Sequence, residues 1–304
     1  MEPISDAPTI DAVITSYNQK NLILETVESV FNQTVKPSNI YIIDDGSSDF
    51  ESLEVLHALE QEQAIVPIHV IYQENLGVSA ARNNGIRHTN APFVLVLDGD
   101  DKLMPTFLES TTLLLNEHPH LVAASSWLKT FGVLDAIIKP AGGRLQSFLS
   151  HNCCPATHLL RRKAYEQCLG YDETMKSGYE DWEFFLRLLE TSSDAAIGIV
   201  NQPLIAYRTN PTSSNVKSMT NRLSLMEEII NKHLTSYQNN IVKVLLDIES
   251  TSDERLANWE DEIKHSCATK NEISTISQKF MACPSYGDGG MAAAVRIASN
   301  LKSN

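Results

Sequence analysis

The sequence predicts an α/β fold built on a mainly parallel, doubly wound sheet. Three observations carry that expectation. Short β-branched apolar runs recur through the first third of the chain, helical apolar stripes lie between them, and a polar cluster follows each run. A chain of 304 residues with 42% hydrophobic positions can bury the core that such a sheet needs.

The runs are Ala12 to Thr15, Ile40 to Ile43, Ile68 to Tyr72 and Phe93 to Leu97, spaced like βαβ units. Between the first two, Leu22, Ile23, Val27, Val30 and Phe31 form one helical stripe, and Pro37 closes that crossover. The second crossover opens on Ser48-Asp49-Phe50-Glu51, which reads as a capping box in which Ser48 and Glu51 satisfy two orphan amides. The third runs from Val78 to Arg87, where Gly85 costs the helix up to about 1 kcal/mol relative to Ala. Right-handed crossovers then bring the carboxyl ends of all four strands to one edge, the place where such sheets bind ligands. Thr15-Ser16-Tyr17-Asn18, Asp44-Asp45-Gly46-Ser47-Ser48-Asp49, Glu74-Asn75-Leu76-Gly77 and Asp98-Gly99-Asp100-Asp101 are delivered there.

From Val122 to Leu160, short apolar runs around Pro140-Ala141-Gly142-Gly143 read as strands and loops covering that edge. Gly178-Tyr179-Glu180-Asp181 introduces a helix over Trp182 to Leu189, and from about Val216 to Phe280 the pattern is helical and charged. The organisation expected is therefore a catalytic-type α/β domain over 1–215, a helical extension over 216–280 and a tail over 281–304.

Lys and Arg number 24 against 38 Asp and Glu, a formal charge of -14 that repels nucleic-acid phosphates and anionic lipid head groups. No nucleic-acid partner is expected. The start MEPISDAPTI shows no basic stretch followed by an apolar run, and no segment approaches the roughly eighteen apolar residues of a membrane span, so a cytoplasmic protein without an integral membrane segment is expected. Five cysteines, two of them the neighbours Cys153 and Cys154, give no disulfide framework and read as reduced thiols. Without a CxxC or HExxH pattern, any metal should be a hard cation held by oxygen.

Asp98 and Asp100 flank Gly99 at a strand end, where two carboxylates can converge on Mn2+ or Mg2+ while glycine lets the backbone approach a ligand. An Asx-type turn accounts for the same residues. Asp44 and Asp45 read either as turn residues or as acceptors for a nucleobase imide or ribose hydroxyl, with Tyr17 offering a ring for stacking. Arg82 reads as a phosphate contact or a solvated charge. Glu180 and Asp181 suit a helix start, where acids gain about 0.3–1 kcal/mol from the macrodipole, and equally suit a general base with a raised pKa. His158 reads as a packed residue, Arg161-Arg162-Lys163 as a solvated face, and Cys153 and Cys154 as small buried hydrophobes.

Taken in order, Thr15-Ser16-Tyr17-Asn18, Asp44-Asp45-Gly46-Ser47-Ser48-Asp49, Asn75-Leu76-Gly77 through Arg82-Asn83, Asp98-Gly99-Asp100-Asp101, Gly178 through Trp182, and Tyr207-Arg208 resemble the family-2 glycosyltransferases of the GT-A fold over about two thirds of the chain. The resemblance implies an inverting, Mn2+- or Mg2+-dependent transfer from a nucleotide diphosphate sugar, a UDP-sugar by expectation, to a hydroxyl of a glycan or other acceptor, as in polysaccharide biosynthesis. It implies that Thr15, Tyr17 and Asp45 hold the nucleoside with Asp44 and Gly99 beside it, and that Arg82 helps at the nucleotide. Asp98 would face the ribose and Asp100 the metal, while Asp181 acts as base and Glu180 orients the acceptor. Many relatives carry a histidine after the Tyr-Arg pair; Asn210 stands at that position here.

Two other readings compete. A nucleotidyltransferase needs a Gly-rich basic first loop that Thr15 to Lys20 does not provide, and a catalytically silent nucleotide-sugar-binding or partner-binding module has no need for both carboxylate motifs. In the tail, Phe280 to Pro284 followed by Ser285-Tyr286-Gly287-Asp288-Gly289-Gly290 reads as a short strand, a Gly-rich turn and a helix. That order resembles the opening of a family-4 glycosyltransferase of the GT-B fold, and implies a second transferase domain in a longer chain. A terminal helix docked on the first domain is the alternative.

Overall fold

In the computed structural model, which describes residues 9–211, 213–268, 275–285 and 289–302, each early apolar run is a strand and each stripe between them a helix. The order is β1 (Ile10–Ser16), α1 (Leu22–Phe31), β2 (Asn39–Asp44), α2 (Phe50–Glu60), β3 (Ile68–Tyr72), α3 (Val78–His88) and β4 (Phe93–Asp98). The four strands are parallel, and their register aligns the polar ends: Thr15 lies beside Ile43 on one flank and Asp98 on the other, and Asp44 lies beside Tyr72. Because every strand stops at the same level, the clusters that follow them meet at one edge.

Gly85 shows why a glycine sits inside α3. A Cβ there would come within 2.4 Å of Val13 Cγ1 and 2.9 Å of Ile43 Cγ1, so its absence lets α3 lie directly on β1 and β2. The cost in helix propensity is offset by packing. The second helix starts one residue later than the expected capping box: Asp49 is its N-cap and accepts from the Ser52 amide at 2.9 Å. Ser48 and Glu51 turn instead to the first loop, where the Ser48 amide donates to Asn18 and Glu51 accepts from Asn21.

The chain continues through β5 (Lys102–Leu103), α4 (Phe107–Glu117), β6 (Leu121–Gly132), β7 (Ile137–Ile138), β8 (Gly143–Arg144), α5 (Leu145–Phe148), β9 (His158–Arg161), α6 (Arg162–Cys168), α7 (Glu180–Glu190) and β10 (Ala196–Thr209). The strand order is β3-β2-β1-β4-β9-β6-β10-β5, with β7 on β6 and β8 on β10. Residues expected to cover the edge thus extend the sheet itself. The reason is burial on both faces of β6, where Ala123, Ala124, Ser125 and Ser126 are all buried, a pattern suited to a central strand. Strand β9 enters antiparallel between β4 and β6. Strand β10 shifts register around Pro203, a residue without an amide to donate.

Arg161 and Arg162 do not form the expected solvated face. Arg161 donates to the carbonyls of Leu121 and Leu115, and Arg162 to those of Ala91 and Ile86, so both guanidinium groups satisfy backbone acceptors at element ends. His158 is fully buried, as expected; burial drives its pKa down to about 3 and keeps the ring neutral. Cys153 and Cys154 are likewise buried, and Cys153, Cys154, Cys168 and Cys283 are in no disulfide.

Beyond the sheet come α8 (Ser214–Thr220), α9 (Arg222–Lys232), α10 (Leu234–Ala268), α11 (Thr275–Ala282) and α12 (Gly290–Lys302). The chain divides into two compact units, Met1–Tyr237 and Gln238–Asn304. In the second unit the expected strand at Phe280 is absent. Phe280 to Ala282 end helix α11, with the Phe280 ring edge-on to Trp259 at 4.2 Å, because an apolar residue with no neighbouring strand buries itself on a helix stripe instead. Tyr286 to Asp288 lie outside the described residues, and the expected helix after them is α12. The resemblance of this tail to a family-4 opening therefore loses its strand. No helix among the described residues is long and apolar enough to cross a membrane.

Candidate active site

At the shared strand edge, Arg82 joins the two acidic motifs. From the second turn of α3 its Nη2 donates to Asp98 Oδ1 at 2.8 Å and its Nη1 to Glu180 Oε1 at 3.2 Å, with the residue 1% exposed. The solvated-charge reading of Arg82 does not hold. Burial alone would lower the pKa of this guanidinium, but Asp98, Tyr171 and Glu180 outweigh it and hold the group charged. Burial likewise pushes Asp98 upward, and the Arg82 charge and hydrogen bond pull it below the ordinary carboxylate range. Thr15 adds a hydroxyl to the same Asp98 oxygen at 3.2 Å.

Asp100 and Asp101 follow without such a partner. Burial, reinforced by Asp98, raises Asp100 to about 6, and no ion pair neutralises it among the described residues. Asp101 is pushed well up by burial and accepts the Arg208 amide at 2.9 Å. Arg208 also donates to the Asp100 carbonyl and to Glu25 while lying over the Phe131 ring at 4.6 Å, so Arg208 braces the acidic loop from β10. Gly99 serves a close approach within the protein: a Cβ there would sit 2.6 Å from the Thr15 carbonyl.

The second cluster works as a set of loop ties. Asp44 accepts the Ser47 amide and hydroxyl, as its turn reading expected. Asp45 accepts from Gln73 Nε2 at 2.8 Å and from the amides of Leu76 and Gly77 at 2.9 Å, fixing the turn that opens α3. Tyr17 is 49% exposed at the end of β1 and leaves a ring available for stacking.

Asp181, the second residue of α7, is raised to about 7 by burial and then by the charge of Glu180, with Arg82 opposing. Its Oδ1 accepts the Trp182 amide at 2.8 Å and its Oδ2 accepts Asn152 Nδ2 at 3.0 Å. Tyr179, just before the pair, adopts a left-handed conformation with φ 64°. Asn152 and Glu25 escaped the sequence reading, Asn152 because it stands in a loop with no spacing that a motif could mark, and Asp101 reads there only as part of its motif, with no role of its own. Among the described residues no three His, Cys, Asp or Glu side chains form a ready metal cage. A separate cleft of about 620 Å3, lined by Glu190, Lys232 and His233, lies at the opposite end of α7 from Asp181.

Residues 11–169, just over half of the chain, match the family described as glycosyl transferase family 2. The chain belongs to that family. This family-2 glycosyltransferase is 24% identical over 212 residues to an uncharacterised glycosyltransferase of Methanocaldococcus jannaschii, covering 67% of this chain and 71% of the relative. It is also 24% identical over 259 residues to an uncharacterised glycosyltransferase of Haemophilus influenzae, covering 78% and 77%. Among solved structures, S. aureus TarS 1-349 shares its fold with a TM-score of 0.57 at 17% identity, covering 78% of this chain and 70% of that one. The same protein in complex with UDP-GlcNAc gives 0.56 at 16% identity over 68% and 60%. The fold is therefore GT-A. The family match ends at Leu169, so Glu180 and Asp181 enter the site through their geometry, by way of Arg82.

Proposed function

We propose that this glycosyltransferase moves a sugar from a UDP-sugar to a hydroxyl of a glycan or other acceptor, with inversion, using Asp181 as the base. The observation that carries the reading is the Arg82 bridge, which brings the metal-type motif at Asp98 and the acid pair at Glu180 to the two ends of one guanidinium. An in-line displacement needs that arrangement, with the acceptor oxygen on one side of the anomeric carbon and the leaving diphosphate on the other. A carboxylate near 7 suits proton abstraction because it is both ionised and basic enough at neutral pH, worth roughly a hundred- to ten-thousand-fold in rate. Glu180 lies beside it to orient the acceptor.

Uridine is the nucleoside this reading assigns, to Tyr17, Thr15 and Asp45. Asp45 already accepts three hydrogen bonds, and a carboxylate offers about four lone-pair sites, which leaves about one for a base imide. That TarS has been solved with UDP and with UDP-GlcNAc supports the choice of donor.

Asp98 and Asp100 fit a divalent cation of the Mn2+ or Mg2+ type. The hydrogen bonds to Asp98 fall on Oδ1, and the Asp100 carboxylate carries a proton-attracting field from burial and from Asp98, a demand that a cation meets equally well. Two carboxylates without a third protein ligand suit an ion whose shell is completed by phosphates and water. Such an ion supplies Lewis-acid neutralisation of the leaving diphosphate. Buried cysteines that form no disulfide support a cytoplasmic setting.

Asp181→Asn tests the proposal. UDP release from UDP-GlcNAc, the first donor to try, should fall at least about a hundred-fold while donor affinity stays within a few-fold. Turnover like that of the unaltered enzyme would refute the base.

A further inference from the structure

The carboxylate of Asp181 is held at both oxygens, by the Trp182 amide on Oδ1 and by Asn152 on Oδ2. Asn152 belongs to the loop between α5 and β9, 29 positions before Asp181 in the chain. The orientation of its amide follows from its other contact. Its Oδ1 accepts the Cys154 amide at 3.1 Å, and a backbone N–H only donates, so the Nδ2 group must be the end that faces Asp181. The loop is in turn fastened to its surroundings: Trp182 Nε1 donates to the Phe148 carbonyl at 2.7 Å, and the Gly142 amide donates to the Cys153 carbonyl at 3.0 Å. Asn152 therefore approaches the base from a pinned backbone.

The groups that face Asp181 are otherwise mostly unhelpful to its ionised form. Glu180 lies beside it on α7, Asp98 comes from β4, and the buried Cys154 thiol and Tyr171 hydroxyl come from the loops around β9 and α6. Arg82 from α3 is the one cation in that set, and it is committed to Asp98 and Glu180. A neutral N–H donor on Oδ2 stabilises negative charge there without adding a competing cation to the site.

We propose that Asn152 is a positioning residue for the transfer reaction: its amide fixes the plane of the Asp181 carboxylate and favours the ionised form that removes the acceptor proton. This rests on the reading of Asp181 as base. A purely structural Asn152 would matter for stability alone; a positioning Asn152 also sets the pH at which the enzyme becomes active.

Asn152→Asp separates these roles, because a carboxylate still accepts the Cys154 amide and keeps the loop tied while the donor to Asp181 is replaced by a like charge. Asn152→Ala provides a second variant that removes the donor without adding charge. The measurement is the pH profile of UDP release from UDP-GlcNAc for both variants, the unaltered enzyme and Asp181→Asn, with thermal melting as the folding control. The acidic limb should move upward by about one pH unit in Asn152→Ala and further in Asn152→Asp, with activity at pH 7 down roughly five-fold in Asn152→Ala, more in Asn152→Asp, and recovered at higher pH. Donor KM should stay within a few-fold. If both folded variants keep the original limb while Asp181→Asn is inactive, the role of Asn152 is overturned and the base stands. If Asp181→Asn itself remains active, the base reading fails and takes the inference with it.

Discussion

Arg82 lies 2.8 Å from Asp98 with almost none of its surface exposed, so the edge of the sheet is closed by an ion pair whose guanidinium is buried and whose carboxylate is partly exposed. Such pairs seldom add much net stability, yet breaking one strands a charge at a cost of about 3–5 kcal/mol. Arg82→Met should therefore lower the urea-derived stability by about 3 kcal/mol, and Asp98→Leu in the same chain should restore part of it. A double-mutant cycle with a coupling above about 1 kcal/mol is the expected result, and additive losses would mean that the pair is not energetically joined.

Asp181 makes stability depend on pH in the direction opposite to most carboxylates. Its pKa rises from an ordinary 3.8 to about 7 on folding, through burial first and Glu180 second. Between those values the folded chain keeps a proton that the unfolded chain has released. The contribution is thus fully present below about pH 4 and lost as the pH climbs through 7. Asp181→Asn, which imitates the protonated form, should melt a few degrees above the unaltered protein at pH 8 and level with it near pH 3.5, in scans run at about 1 °C per minute or slower to limit rate effects. Equal melting temperatures at pH 8 would show that the site relaxes around the charge.

Asp100 titrates near 6 because burial and Asp98 both oppose its ionisation, and a proton and a divalent cation would compete for it. Calorimetry of UDP binding should show affinity rising when Mn2+ is added, with that increment shrinking below about pH 6 and absent in Asp100→Ala. Equal UDP affinity with and without Mn2+ in the unaltered protein would remove the metal from the donor site.

The contrast between Gly85 and Asn152 shows what a sequence discloses. Strands and helices of the first half were legible because apolar spacing reports directly on the face each element buries, and the acids at Asp45, Asp98 and Asp100 stood out because they follow apolar runs at once. What stayed hidden depends on contact between distant positions. Arg82 reads in the sequence as a phosphate contact or a solvated charge, and nothing near it hints at Glu180, 98 positions away; Asn152 has no motif at all. Gly85 read as a weakness for the same reason, its partners being Val13 and Ile43.

Gly85→Ala follows from that contrast. On propensity alone alanine should gain the helix up to about 1 kcal/mol, but a methyl 2.4 Å from Val13 Cγ1 forces α3 away from the sheet, and overpacking costs typically about 1–3 kcal/mol. A net loss of stability in denaturant is expected. The displacement should also weaken UDP binding, since α3 carries Arg82 and its first turn is held by Asp45. A variant more stable than the parent would show that propensity outweighs packing here.

Within the second unit, the tail is tied to α10 by named contacts. Trp259 meets Phe280 edge-on, Arg296 of α12 forms an ion pair with the buried Glu260, and Ala293 and Ile297 are fully buried. A cut after Ser277 falls inside α11 and removes Phe280 together with all of α12. A tail that opened a separate transferase domain would come away without consequence. The contacts argue the reverse, because the cut exposes Trp259 and takes Arg296, the chief cause of its lowered pKa, from the Glu260 carboxylate, leaving it only Lys264 at 3.7 Å among the described residues. Truncation after Ser277 should therefore increase proteolysis between residues 238 and 277 and shift the emission of Trp259 toward that of a hydrated indole, an effect isolated by replacing Trp127 and Trp182 with Phe in both chains. Unchanged proteolysis and emission would place the tail outside the fold of this unit and return it to the role of an opening segment.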